Sequence, residues 1–137
     1  MRIFLDTNVL ASAFTTRGLC AEVYELAALN HQLIIGEPVI GELLRILGGK
    51  LRVPPEKLAK LQKELEELER APAADASLAS SIRDPADAAV LACAIAAKAE
   101  VFVTGDKELL GLREIRDMPI VSPRDLWWKL AGPGSER

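Results

Sequence analysis

Apolar residues along this chain fall into short solid runs that alternate with longer periodic stripes. Arg2-Ile3-Phe4-Leu5, Gln32-Leu33-Ile34-Ile35-Gly36 and Val101-Phe102-Val103 are runs of the buried-strand type, and Pro119-Ile120-Val121 reads as a fourth. Between them, helical spacing predicts helices over about 9–14, 19–29, 38–47, 55–70, 85–98 and 107–110, with a last one from Ser122-Pro123 to Leu130. Pro38, Pro55, Pro85 and Pro123 suit first helical turns, and Gly48-Gly49 reads as a helix stop. The stretch 71–81 has no period and reads as a loop, and 132–137 as a flexible tail behind one domain spanning 1–131. Strands alternating with helices predict an α/β fold around a central parallel sheet of four to five strands. In such sheets functional groups gather beyond the carboxyl ends of the strands, where Asp6 and Asp106 both fall.

Composition narrows the chemistry. With 137 residues, 50% of them hydrophobic, the chain can bury a core and is not disordered. A net charge of −3 argues against coating nucleic acid through bulk charge. No apolar run is long enough to cross a bilayer, and Asp6 and Asn8 interrupt the first one, so neither an anchor nor a secretory leader is expected and the cytoplasm is the expected location. Cys20 and Cys93 lie far apart in apolar helical contexts, as reduced, buried thiols do. The single histidine, His31, falls at a helix-to-strand turn, so a histidine-based nucleophilic mechanism would have to run through a turn residue. Carboxylates, a metal, or both are the expected instruments.

Four acids are the candidates, each with a plainer role beside the functional one. Asp6 and Asp106 end strands and precede helices, where an aspartate also serves as a cap. Glu42 lies on the helical wheel about 40° from Ile46, at the border of the apolar face rather than opposite it. Asp87 falls near the middle of the stripe made by Val90, Leu91, Ala94 and Ile95, a costly place for a charge unless it is paired or bound to an ion. It is also the third residue of a helix that Asp84 is placed to cap, so capping and ion binding stay open for it; Asp84 itself reads as a cap with a supporting role. Taken together, carboxylates with few basic residues around them repel one another, and a divalent cation is the usual remedy. Oxygen-only ligands select Mg²⁺ or Mn²⁺. Such a site suits metal-assisted attack of water on a phosphodiester.

Four segments in order carry a family resemblance: Phe4-Leu5-Asp6-Thr7-Asn8-Val9-Leu10, Val39-Ile40-Gly41-Glu42-Leu43, Asp84-Pro85-Ala86-Asp87-Ala88-Ala89-Val90-Leu91-Ala92-Cys93-Ala94, and Val103-Thr104-Gly105-Asp106-Lys107-Glu108-Leu109-Leu110. Over roughly residues 2 to 125 the chain resembles PIN-domain ribonucleases, in particular the toxin subunits of type II (VapBC-like) toxin–antitoxin systems. The resemblance implies a three-layer α/β/α domain in which Asp6, Glu42, Asp87 and Asp106 hold one or two Mg²⁺ or Mn²⁺ ions for RNA cleavage. It also implies supporting roles for Thr7, Asn8 and Thr104, a small antitoxin as partner, and homodimers as a form such toxins often take. Haloacid-type phosphatases share the opening aspartate but need a second one where this chain has Asn8. The reading from a different class is a PIN-like protein-binding module without nuclease activity, docking through the Leu58-to-Leu68 stripe and Trp127-Trp128.

Overall fold

The computed structural model describes residues 1–132. Six strands form its sheet: β1 (Arg2–Leu5), β2 (Gln32–Gly36), β3 (Glu69–Ala71), β4 (Val101–Val103), β5 (Glu114–Ile115) and β6 (Met118–Val121), in the order β3-β2-β1-β4-β6-β5. Every pairing is parallel except that of β5 with β6. Successive residues of a strand point to opposite faces, yet Ile3, Phe4 and Leu5 are all buried, as are Val101, Phe102 and Val103. Both faces of the central strands are therefore covered, which is why they carry solid apolar runs rather than alternation. Phe4 and Phe102 stack across the β1–β4 pair with ring centroids 5.6 Å apart.

Seven helices supply that cover: α1 (Thr7–Thr15), α2 (Leu19–Asn30), α3 (Glu37–Arg45), α4 (Pro55–Glu66), α5 (Pro85–Ala96), α6 (Lys107–Leu112) and α7 (Pro123–Ala131). The four proline-led helices form as their sequence predicts, with Pro38 one residue inside the first turn of α3. Gly36 joins β2 to α3 at a point of close approach. A Cβ there would sit 2.8 Å from Phe4 Cζ and 2.9 Å from Cys93 Sγ, so only glycine lets α5 and β1 meet at this strand end.

Several boundaries differ from the sequence reading, each for an identifiable reason. The leucine phase runs on through Leu68, but α4 ends at Glu66 and the chain turns into β3, an edge strand of charged residues held by ion pairs to Arg2 and Glu37. Within the expected loop, Asp75 caps a short 3₁₀ turn at Ala76–Ala79. Gly48-Gly49 does not stop the helix after α3; a π turn continues over Ile46–Lys50, closed by Leu51 N–H on the carbonyl of Ile46 at 3.0 Å. The two-residue β5 pairs through a hairpin whose corner, Arg116-Asp117, takes positive φ at both positions (46° and 67°). The sheet thus has six strands where four to five were expected. The tail expected at 132–137 lies, from 133 on, outside the described residues.

Topology marks one place in this sheet. From β1 the chain builds β2 and β3 to one side, then returns to lay β4 and β6 on the other. The order reverses between β1 and β4, and a crevice opens beyond the carboxyl ends of strands at such a point.

Candidate active site: an acid-walled pocket at the sheet switch point

That crevice holds a cavity of about 330 Å³ whose lining includes Asp6, Glu42, Asp84, Asp87 and Asp106, and no lysine or arginine. Asp6 is the first residue past β1, and its backbone N–H donates to the carbonyl of Val103 at 2.9 Å, lashing the two central strand ends together. Its carboxylate accepts from the Thr7 backbone N–H and from the Thr104 hydroxyl, both at 2.8 Å. The Thr104 hydroxyl in turn accepts from the Asp106 N–H at 3.1 Å, and Asn8 Oδ1 accepts from the Gly105 N–H at 3.2 Å. Thr104 is fully buried, and the short segment between β4 and α6 is tied to the β1 end by the Thr104 hydroxyl on Asp6 and the Gly105 N–H on Asn8. Asp106 then caps α6 through Glu108 N–H at 2.8 Å.

The helices contribute the rest. α3 presents Glu42 to the wall, because the border of an apolar face is where a polar side chain reaches along the core edge, and Ile46, first residue of the π turn that follows, lines it one turn on. Asp84 caps α5, accepting from the N–H groups of Ala86 at 2.8 Å and Asp87 at 3.2 Å. Asp87 is half-buried, faces the cavity and accepts no hydrogen bond among the described residues.

Electrostatics follow from this packing. Burial is the largest cause pushing the Asp6 carboxyl above its ordinary value, the Thr104 and Thr7 hydrogen bonds pull it back, and repulsion from Glu42 and Asp106 adds to the rise. Asp87 is pushed up to about 6, first by burial and then by Asp84, Asp106, Asp6 and Glu42. Burial comes first in both shifts, and behind it stands an excess of negative charge with no counterion among the residues that line the cavity. Thr7, on the same wall, keeps a buried hydroxyl oxygen with no hydrogen-bond partner among the described residues. An all-oxygen donor set with unneutralised carboxylates and an unsatisfied hydroxyl fits a hard divalent cation. Among the described residues no three of the acids are already grouped closely enough to grip one ion, as expected of like charges lacking a counterion.

All eight residues singled out in the sequence lie in this region: seven line the cavity, and Thr104 lies behind its wall holding Asp6 and Asp106. Arg17, Lys50, Arg52, Lys57 and Lys107 are exposed, and none of them lines the cavity. The cavity also has an apolar side, Ile46 and Val90, which helical periodicity assigned only to the core. His31 sits at the opposite end of the sheet, its Nδ1 3.3 Å from the terminal amine.

Fold and pocket together define a class, an α/β protein with a carboxylate cluster at the switch point of a parallel sheet. A family model described as PIN domain matches residues 2–108, and the chain belongs to that family. A comparison with curated protein sequences gives no match. Among solved structures, the chain is similar to one from the VapBC2 complex of Rickettsia felis bound to a promoter DNA fragment, with 23% identity over 89% of this chain and 98% of that one and a TM-score of 0.68. It is likewise similar to DNA-bound VapBC of Salmonella typhimurium, at 20% identity over 90% and 98% of the two chains, TM-score 0.63. VapC20 of Mycobacterium tuberculosis, a toxin that cleaves the sarcin–ricin loop, matches at 12% identity over 85% and 98%, TM-score 0.60. At these identities the likeness is one of fold.

Proposed function

We propose that this chain is a Mg²⁺- or Mn²⁺-dependent endoribonuclease and the toxin member of a toxin–antitoxin pair. The observation that carries the reading is the cavity at the switch point, walled by five carboxylates and no basic side chain. Membership of the PIN-domain family and a fold shared with VapBC and VapC structures support it.

Asp6, Glu42, Asp87 and Asp106 are the residues that would hold one or two ions, with Asp6 and Asp106 as the direct ligands. A bound ion supplies Lewis acidity toward the scissile phosphate and lowers the pKa of its water. The protein's own share is positioning. Thr104 and the Thr7 N–H fix both oxygens of Asp6, so its carboxylate meets a ligand without reorganising. Thr104 and Asn8 together hold the 104–106 turn, and so Asp106, at a set distance from β1. Glu42 and Asp87, on separate helices, complete the wall and orient the attacking water. Asp84 secures the first turn of α5 and through it the placement of Asp87. Ile46 and Val90 exclude bulk water from one side.

The partner expected under this reading is a small antitoxin, as in the VapBC complexes named above, and a homodimer is part of the proposal. Among the described residues no helix is long and apolar enough to cross a membrane, and a cytoplasmic location is proposed. The binding-module reading loses most of its surface. Leu61 and Leu65 are buried and Leu58 and Leu68 partly so, leaving only Trp128, 50% exposed, as a large apolar contact from its two elements.

Incubation of the protein with single-stranded RNA and Mn²⁺, beside Asp6→Asn protein and a chelated control, tests the proposal. Cleavage by the wild type alone, abolished by chelation, is expected. Equal cleavage by Asp6→Asn protein, or none by either, would overturn the nuclease reading.

A further inference from the structure

The acid pocket is the middle of a longer trough. On one side it shares Asp84 and Asp87 with a groove of about 310 Å³, and on the other it shares Asn8 and Asp106 with one of about 370 Å³. The first groove has features that the acid pocket lacks. Arg83, immediately before the α5 cap, lines it, and so do Ile82, Leu109 and Leu112. Arg83 is exposed and forms no ion pair among the described residues, although Asp84, Asp87 and Glu108 line the same groove. Leu112, at the last turn of α6, is 45% exposed beside it.

Resting on the nuclease reading, we propose that this groove seats the unpaired nucleotide next to the scissile bond, with Arg83 holding its phosphate and Leu112 covering its base. A carboxylate pocket repels the phosphates on either side of the one being cut, so an adjoining cation is required to keep the strand in place. An unpaired guanidinium offers that charge and a planar fork that matches phosphate oxygens. Leu112, with half-buried Ile82 and buried Leu109 behind it, presents an apolar surface to a base face. Only an unpaired base has a face to offer, because stacking hides it in a duplex. With aliphatic side chains and one guanidinium, the groove selects single strands over duplexes with little preference among bases.

The test pairs metal-free binding of a fluorescent single-stranded RNA oligonucleotide, titrated with salt, with steady-state cleavage in Mn²⁺. Arg83→Gln is expected to raise KM about 3- to 10-fold with kcat within about twofold, and to flatten the log–log salt dependence of binding by about 0.7, one single-strand phosphate contact. Arg83→Lys should recover the salt slope. Leu112→Ala should weaken single-strand binding about 2- to 5-fold and leave binding of a duplex of the same sequence unchanged. Lys60→Gln, on the exposed face of α4, is the control and should change nothing. Unchanged KM and salt slope in Arg83→Gln, a fall in kcat alone, or no binding by the wild type would each overturn the groove assignment. Because binding is read without metal, a chain that binds through Arg83 but cuts nothing would sink the nuclease reading and spare the groove. A chain that cuts indifferently to Arg83 would do the reverse.

Discussion

The two ends of the same parallel strands carry polar clusters built on opposite plans. At the amino end, Arg2 donates to both oxygens of Glu69 at 2.9 and 2.7 Å and to the carbonyls of Ala97 and Lys98, while Gln32 adds a further hydrogen bond to Glu69. Both charges of this cluster, Arg2 and Glu69, meet an opposite charge or a dipole. The hydrogen bonds from Arg2 hold the Glu69 carboxyl below its ordinary range, and the same bonds raise the guanidinium of Arg2. At the carboxyl end, five carboxylates line one cavity with no cation, and Asp6 and Asp87 are shifted upward. A cluster that completes itself is a fastening, since it ties β1, β2, β3 and the turn after α5 together. The cluster at the switch point has no such internal partner, and it is the one for which we propose a divalent cation.

The largest expected effect breaks the comparison at its functional end. Asp106→Asn should lower RNA cleavage at least about 100-fold, the scale on which metal sites respond to lost ligands and their supports. Arg2→Gln, at the fastening, should leave cleavage by the folded protein within about twofold. Equal losses in the two variants, assayed on the same RNA at matched folded fractions, would erase the distinction.

Next in size is the response to Mn²⁺. A free ion at about 100 times its dissociation constant should stabilise the wild type by about 2.7 kcal/mol, seen as a rise in melting temperature. The rise should shrink in Asp87→Asn and Asp106→Asn and persist in Arg2→Gln. Asp84→Ala, which strips the α5 cap, should cost about 0.5–2 kcal/mol on thermal unfolding while cleavage by the folded fraction falls only modestly. Arg2→Gln itself should cost about 1 kcal/mol, because the pair is half-exposed and screened.

The smallest effect is the most discriminating, because pH acts on the two ends with opposite sign. Asp87 keeps its proton in the folded state up to about pH 6, whereas the unfolded chain releases it near the ordinary aspartate value of about 3.9. Metal-free protein therefore loses stability at this residue as pH rises from about 4 to 6, and holds a lower plateau above. Glu69, held below its ordinary value, contributes stability that is present above the carboxylate range and lost as pH falls through its folded pKa. Melting curves across pH 3 to 7 should show Asp87→Asn removing the loss on the alkaline side and Glu69→Gln the loss on the acidic side. Identical pH profiles would contradict the assignment of unlike charge states to the two ends.

Much of this was legible in the chain because each feature is local. β1, β2 and β4 are apolar on consecutive residues, since both their faces are covered. Asp6 and Asp106 could be read from strand ends, and Glu42 from its place on a helical wheel. Asp87 was ambiguous with a cap; in the fold Asp84 alone does the capping and the Asp87 side chain faces the cavity. What was hidden is tertiary. β3 carries charges where a strand signal needs apolar residues, because it is an edge fastened by Arg2. The π turn uses Gly48-Gly49, a pair whose local preference is to end a helix. The groove of Arg83 and Leu112 joins the loop before α5 to the last turn of α6, a juxtaposition no spacing announces.

The central claim is that the carboxyl-end acids are completed by a divalent cation. Titration of metal-free protein with Mn²⁺, free ion followed by electron paramagnetic resonance, tests it most directly. Saturable binding of one or two ions is expected for the wild type and for Glu69→Gln, with loss of that binding in Asp6→Asn. Absence of saturable binding in the wild type, or binding unaltered in Asp6→Asn, would contradict the account.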